Sequence, residues 1–234
     1  MIKIFRKIRQ QLLTENKFSK YLLYAIGEIA LVMIGILLAL QVNNWNEKKN
    51  EEKKLQTIYN IITKDLESDL VKIKDILEEY KKREAYYKHI LDGKLTAMDY
   101  TDSTYFYLIT ISPDILVSTR GYNLFTSSTN DHAVKDSLQL NISEFYTETI
   151  SRFEFLRNYI ITDIEDNFSH WKKNFEWYPD YIMRKNLDQF IDYTIKNPDY
   201  KNRVANYYFV NYQVAIRYLE DFIENANNIL KELK

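Results

Sequence analysis

The chain has no cysteine, only four glycines and three prolines in 234 residues, and three histidines. Without cysteine there can be no disulfide, no thiolate nucleophile, no Cys-ligated zinc and no lipidated cysteine. So few glycines and prolines leave little turn punctuation, which favours few, long elements and therefore helices over a strand-rich sandwich. No Gly-rich phosphate loop, no elbow around a nucleophilic serine and no paired-carboxylate signature occurs. A strong net charge is missing as well: the formal value is −1, which argues against nucleic acid as a partner.

What stands out instead is one long apolar run. Residues 21–42 read YLLYAIGEIALVMIGILLALQV, with Glu28 as the one carboxylate inside them. At 1.5 Å per residue a helix of this length spans about 33 Å, enough to cross the hydrocarbon core of a bilayer. Tyr21, Tyr24 and Trp45 lie near its two ends, as interfacial aromatics do. A cleaved signal peptide would carry a shorter apolar region and end in a small-x-small site, whereas this run closes on Leu38-Ala39-Leu40-Gln41-Val42-Asn43. The reading is an uncleaved, single-pass transmembrane helix.

Charge distribution orients it. The first 20 residues carry Lys3, Arg6, Lys7, Arg9, Lys17 and Lys20 against Glu15, so the rest of the chain is net acidic. By the positive-inside rule the N-terminus is cytoplasmic and the body lies across the membrane. Lys48, Lys49, Lys53 and Lys54 after the span weaken the contrast. Within the head, Ile2, Phe5, Ile8 and Leu12 share one helical face and Lys3, Arg6, Lys7 and Gln10 the other, a pattern for a helix lying on anionic headgroups. A topogenic head without fixed structure accounts for the same residues. Three segments follow: a basic cytoplasmic amphipathic head over 1–20, a transmembrane helix over 21–42 and an extracytoplasmic helical domain over 43–234.

In the body, Leu55, Ile58, Ile62, Leu66, Leu70, Ile73, Leu77, Tyr80, Tyr87 and Leu91 recur at a helical period and predict a long amphipathic helix that Asp92-Gly93 ends. Residues 94–132 are the least regular. Tyr105–Ile111 has strand-like composition but no partner strand, and reads as a short helix or irregular segment; another short helix is predicted over Ile115–Ser127. A second long helix follows from Leu138 through Ile142, Phe145, Phe153, Leu156, Ile160, Ile164, Phe168, Trp171 and Phe175, closed by Pro179. Further helices over 180–195 and from 199 onward complete the chain, with Pro198 at the start of the last. The fold class is all-α: an N-terminal transmembrane helix followed by an antiparallel bundle with long helices.

The opening IKIFRKIRQQLLTENKFSKYLLYAIGEIALVMIGILLALQVNNWNE, and more weakly STRGYNLFTSS with KDSLQLNISEFY, resemble a family of uncharacterised single-pass membrane proteins from flavobacteria and their relatives. The resemblance implies a Gram-negative inner-membrane protein with an extracytoplasmic helical domain. It brings no activity, cofactor or catalytic residue.

A few residues invite a functional reading. Tyr24, Glu28, Gly35, Ala39 and Val42 share a stripe on the apolar helix, and Gly35-x-x-x-Ala39 is a small-x-x-x-small pair that admits a second helix. Glu28, Gly35 and Ala39 are therefore candidates for a homo-oligomeric transmembrane contact. A protonated or snorkelling Glu28 is the plainer alternative. Asp163, Asp166 and His170 at i, i+3 and i+7 could approach a metal, as could His89 with Asp92, but matching ligands from other helices are not evident and a solvated polar face explains them. Arg120 and Tyr122 in Ser118-Thr119-Arg120-Gly121-Tyr122 could meet a ligand or partner, although the hydroxyls there also suit helix caps. The 20 tyrosines suit bundle cores that keep a polar tip. The expectation is a non-enzymatic, membrane-anchored interaction or scaffold protein with an unknown protein partner and no cofactor. The alternative is a sensory module relaying a periplasmic signal through the span.

Overall fold

The computed structural model describes residues 18–128 and 136–233. Of these, 86% are helical and none forms a strand. The amphipathic pattern over residues 2–13, and His132, lie outside the described residues. A first helix, α1, covers Phe18–Leu91. The chain divides into two compact units, residues 1–57 and 58–234.

In the first unit the helix carries the apolar run. Every large apolar side chain described from Leu22 to Trp45 is more than half exposed, from 52% at Leu22 to 78% at Leu23. An apolar surface of this extent is uncommon on a protein surrounded by water. Among the described residues this is the one helix long and apolar enough to cross a membrane, and none of its apolar window is buried. Beyond it, the ammonium of Lys49 lies 5.1 Å from the centre of the Trp45 ring.

In the second unit α1 turns its periodic face inward: Ile58, Ile62, Leu66, Leu70, Ile73, Tyr80, Tyr87 and Ile90 are all buried. Gly93 ends the helix at φ 72°, where an L side chain would be strained, and the turn closes with Lys94 N–H on the carbonyl of His89 at 3.1 Å. A 3₁₀ turn over Ala97–Thr101 and a single-turn helix α2 (Thr104–Tyr107) follow. Residues 111–119 then have no regular structure before α3 (Arg120–Ser128). α4 spans Ser137–Asn174, its N-terminus capped by Asp136, whose carboxylate accepts from Gln139 N–H at 2.8 Å. Then come α5 (Tyr178–Met183), α6 (Asp188–Lys196), α7 (Pro198–Tyr207) with Asn197 as its cap, a π turn over Tyr208–Val214, and α8 (Ala215–Glu232).

The long-range contacts give the topology of this unit. The chain leaving α1 runs back along it: Leu108 meets Tyr87, Ser112 meets Tyr80, Ser118 meets Asp69 and Gly121 meets Asp65. α4 runs against that return leg, pairing Tyr122 with Tyr146, Asp114 with Arg157 and Ile109 with Asn167. The C-terminal stretch descends along α4 through Asn167–Arg203, Asp163–Asn211, Arg152–Asp221 and Asn141–Glu232. The arrangement is up-down-up-down, with an extended segment plus α3 as its second leg.

The structure corrects three boundaries. The second long helix ends at Asn174 rather than Pro179, because Phe175 and Trp177 turn into an aromatic cluster around the fully buried Trp171, and Pro179 instead begins α5. The helix predicted over 180–195 is two helices, broken where Arg184 adopts φ 53° and lays its guanidinium over the Tyr107 ring. The helix predicted from Ile115 starts only at Arg120.

Candidate functional site

The sequence placed Arg120 and Tyr122 in a turn, and the structure shows what that turn rests on. Asp65 and Asp69, one helical turn apart on α1, are buried to 6% and 1% exposure within an otherwise apolar face. Asp69 accepts from the Ser118 N–H at 2.5 Å and from the Ser118 hydroxyl at 2.9 Å. Asp65 accepts from the Gly121 N–H at 2.9 Å and from the Arg120 guanidinium at 2.8 Å. Two carboxylates from one helix thus satisfy one orphan donor in the first turn of α3 and the Ser118 N–H just before it, where the helix dipole also favours negative charge. The fit depends on Gly121: a Cβ there would lie 2.7 Å from Ile62 Cγ1 and 2.9 Å from the Ile62 backbone nitrogen. Tyr122 stacks on Tyr146, rings 4.7 Å apart and 9° from parallel, and its hydroxyl lies 3.2 Å from that of Thr147. Burial pushes the Tyr146 hydroxyl well above the usual tyrosine range.

Asp65 and Asp69 went unnoticed in the sequence, although two carboxylates spaced i, i+4 beside Leu66 and Leu70 were a usable signal. An ionised group on an apolar stripe needs a partner.

The neighbouring return leg is held in a different way. Its carbonyls are met by side chains from four elements: Phe106 by the Tyr181 hydroxyl at 2.9 Å, Leu108 by Tyr87 at 3.0 Å, Ile109 by the Asn167 amide at 3.0 Å and Ile111 by Tyr207 at 3.3 Å. Burial raises the pKa of all three tyrosines, that of Tyr181 to about 12, so the hydroxyls remain protonated donors at any physiological pH.

The candidate metal ligands are separated by the fold. Asp163 accepts from the amides of Asn206 and Asn211 at 2.8 and 2.9 Å. Asp166 pairs with Arg203 at 2.8 Å. His170 Nε2 lies 3.1 Å from Asp199, which also takes the Tyr193 hydroxyl at 2.6 Å and Arg203 Nε at 3.0 Å. Burial alone would raise the Asp199 carboxyl, but the bonds from Tyr193 and Arg203 hold it below the usual range. His89 approaches Asp99 at 3.3 Å rather than Asp92, which pairs with Lys94. Among the described residues no group of three or more His, Asp and Glu side chains is placed to hold a metal ion. The residues that tie α4 to the C-terminal leg, Arg203, Asn206 and Asn211, carry no sequence motif and were not anticipated.

On the apolar helix, Glu28 is half-buried, and the backbone at Gly27 and Gly35 has no atom within 4 Å of where a Cβ would stand.

A family model, the family of unknown function DUF6090, matches residues 28–175, well over half of the chain. The chain belongs to this family. The match takes in the apolar segment from Glu28, the Asp65–Asp69 pair, the α3 turn and all of α4. No curated protein matches the chain. No solved structure matches it either.

Proposed function

We propose that the chain is a membrane-anchored, non-enzymatic interaction or scaffold protein of the cell envelope. It is held in the inner membrane by the apolar stretch of α1, with its N-terminus in the cytoplasm and residues 43–234 in the periplasm. One observation carries the anchoring: the large apolar side chains described from Leu22 to Val42 are all exposed, with Glu28 as the one charge among them, and basic residues flank them on the N-terminal side. The non-enzymatic part is supported by the employment of the buried and half-buried carboxylates. Asp65 and Asp69 hold the start of α3, and Asp199 holds Arg203 and Tyr193, so each already has a structural role. A relay of signals is the second reading, favoured because the apolar segment and the core-facing positions from Ile58 to Ile90 belong to the same helix.

Two experiments test the anchoring. Alkaline carbonate should leave the native chain in the membrane pellet, and release into the supernatant would refute the anchor. A reporter active only in the periplasm, fused after Lys234, should work; activity of a cytoplasmic reporter at that position would reverse the topology. Crosslinking in native membranes then separates the two functional readings. Partners bound to the head favour a relay, and partners confined to the body favour a scaffold.

Self-association through the span belongs to the same proposal. Glu28, Gly35 and Ala39 share a face, and the open backbone at Gly35 admits a second helix. Gly35→Leu should weaken association more than Leu37→Ala, which changes a different face. Single-cysteine crosslinking that peaks on the Leu37 face would exclude this contact.

A further inference from the structure

We draw no further inference here: the strongest candidate, the apolar groove between residues 112–115 of the return leg and Ile160, Ile161 and Ile164 of α4, is a surface patch for which nothing in the structure shows what covers it.

Discussion

Gly121→Ala tests the seating of α3 on α1 with a single methyl group. The added Cβ would meet Ile62 Cγ1 at 2.7 Å, its nitrogen at 2.9 Å and its Cα at 3.0 Å, and two of those three atoms are backbone that cannot rotate away. α3 must therefore move off α1, stretching the Gly121 and Ser118 N–H bonds to Asp65 and Asp69. Overpacking of this kind costs about 1–3 kcal/mol. Weakening a hydrogen bond to a charged acceptor adds about 1–2 kcal/mol, and the better helix propensity of alanine returns up to about 1 kcal/mol. The expected net loss is about 2–4 kcal/mol, which at a urea slope of about 2 kcal/mol per molar lowers the unfolding midpoint by about 1–2 M. Unfolding of the full chain in detergent micelles can be followed through the fluorescence of Trp171 and Trp177, both buried. Gly27→Ala is the control, since no atom lies within 4 Å of its new Cβ, and it should leave the midpoint in place. A Gly121→Ala midpoint within about 0.2 M of the wild type would refute the tight seating.

Three further outcomes follow from the same geometry. Asp69→Ala should cost about 2–3 kcal/mol by stranding the Ser118 donors, while Arg120→Ala should cost under about 1 kcal/mol because its guanidinium is 69% exposed; urea midpoints that reverse this order would contradict the assignment. Tyr87→Phe should lose about 1–2 kcal/mol through an unsatisfied Leu108 carbonyl, against little for Tyr86→Phe, whose exposed hydroxyl meets Asp102; calorimetric melting of both variants checks it. Asp163 has a carboxyl raised in the folded state, so its contribution is fully present below the unfolded value near pH 4 and is lost as pH rises through the folded value. Asp163→Asn should therefore gain stability relative to the wild type as pH rises above about 4, and a pH-independent difference in melting would show that the carboxyl is not raised.

Much of the fold was legible because helical periodicity records burial. Of the positions from Ile58 to Tyr87 that the spacing placed on one face, the structure buries all but Leu77, which is half-buried, and Gly93 ends α1 where the sequence put the break. The break at Arg184 was not legible, because a left-handed residue is ordinarily signalled by glycine or asparagine. Here the turn is held instead by the stacking of Arg184 on Tyr107, 77 residues away in sequence. The π turn at Tyr208–Val214 was hidden for a related reason: inserting one residue shifts the periodic face while the stretch stays mostly apolar and aromatic, with only Asn211 and Gln213 polar. The ties from α4 to the C-terminal leg were only half visible. Asp163 and Asp166 could be picked out on α4, but whether each had a cation depended on Arg203, Asn206 and Asn211, which only the tertiary fold brings near.

The strand-like look of Tyr105–Ile111 and the abundance of tyrosine have one physical cause. A second leg built of one helical turn, a tight turn and an irregular segment buries carbonyls that it cannot satisfy itself, and among the described residues no neighbouring strand supplies donors. Phenylalanine would fill the same volume but leave those carbonyls bare. Tyrosine at Tyr87, Tyr181 and Tyr207 fills the core and delivers an O–H at the end of a rigid ring, with Asn167 supplying the fourth donor. A leg of β-branched and aromatic residues is therefore stable inside a helical protein as long as the helices around it carry hydroxyls at the right heights. Those heights are set by the descending pairing of Leu108 with Tyr87 and Ser112 with Tyr80. A slip of the leg along α1 would separate these donors from their acceptors, and would also pull Ser118 and Gly121 off Asp69 and Asp65. The tyrosines and the two buried aspartates thus fix the same register from opposite ends of the leg. That shared constraint explains why both carboxylates can sit in an apolar stripe: the donors they need are delivered to them by the same pairing that satisfies the leg.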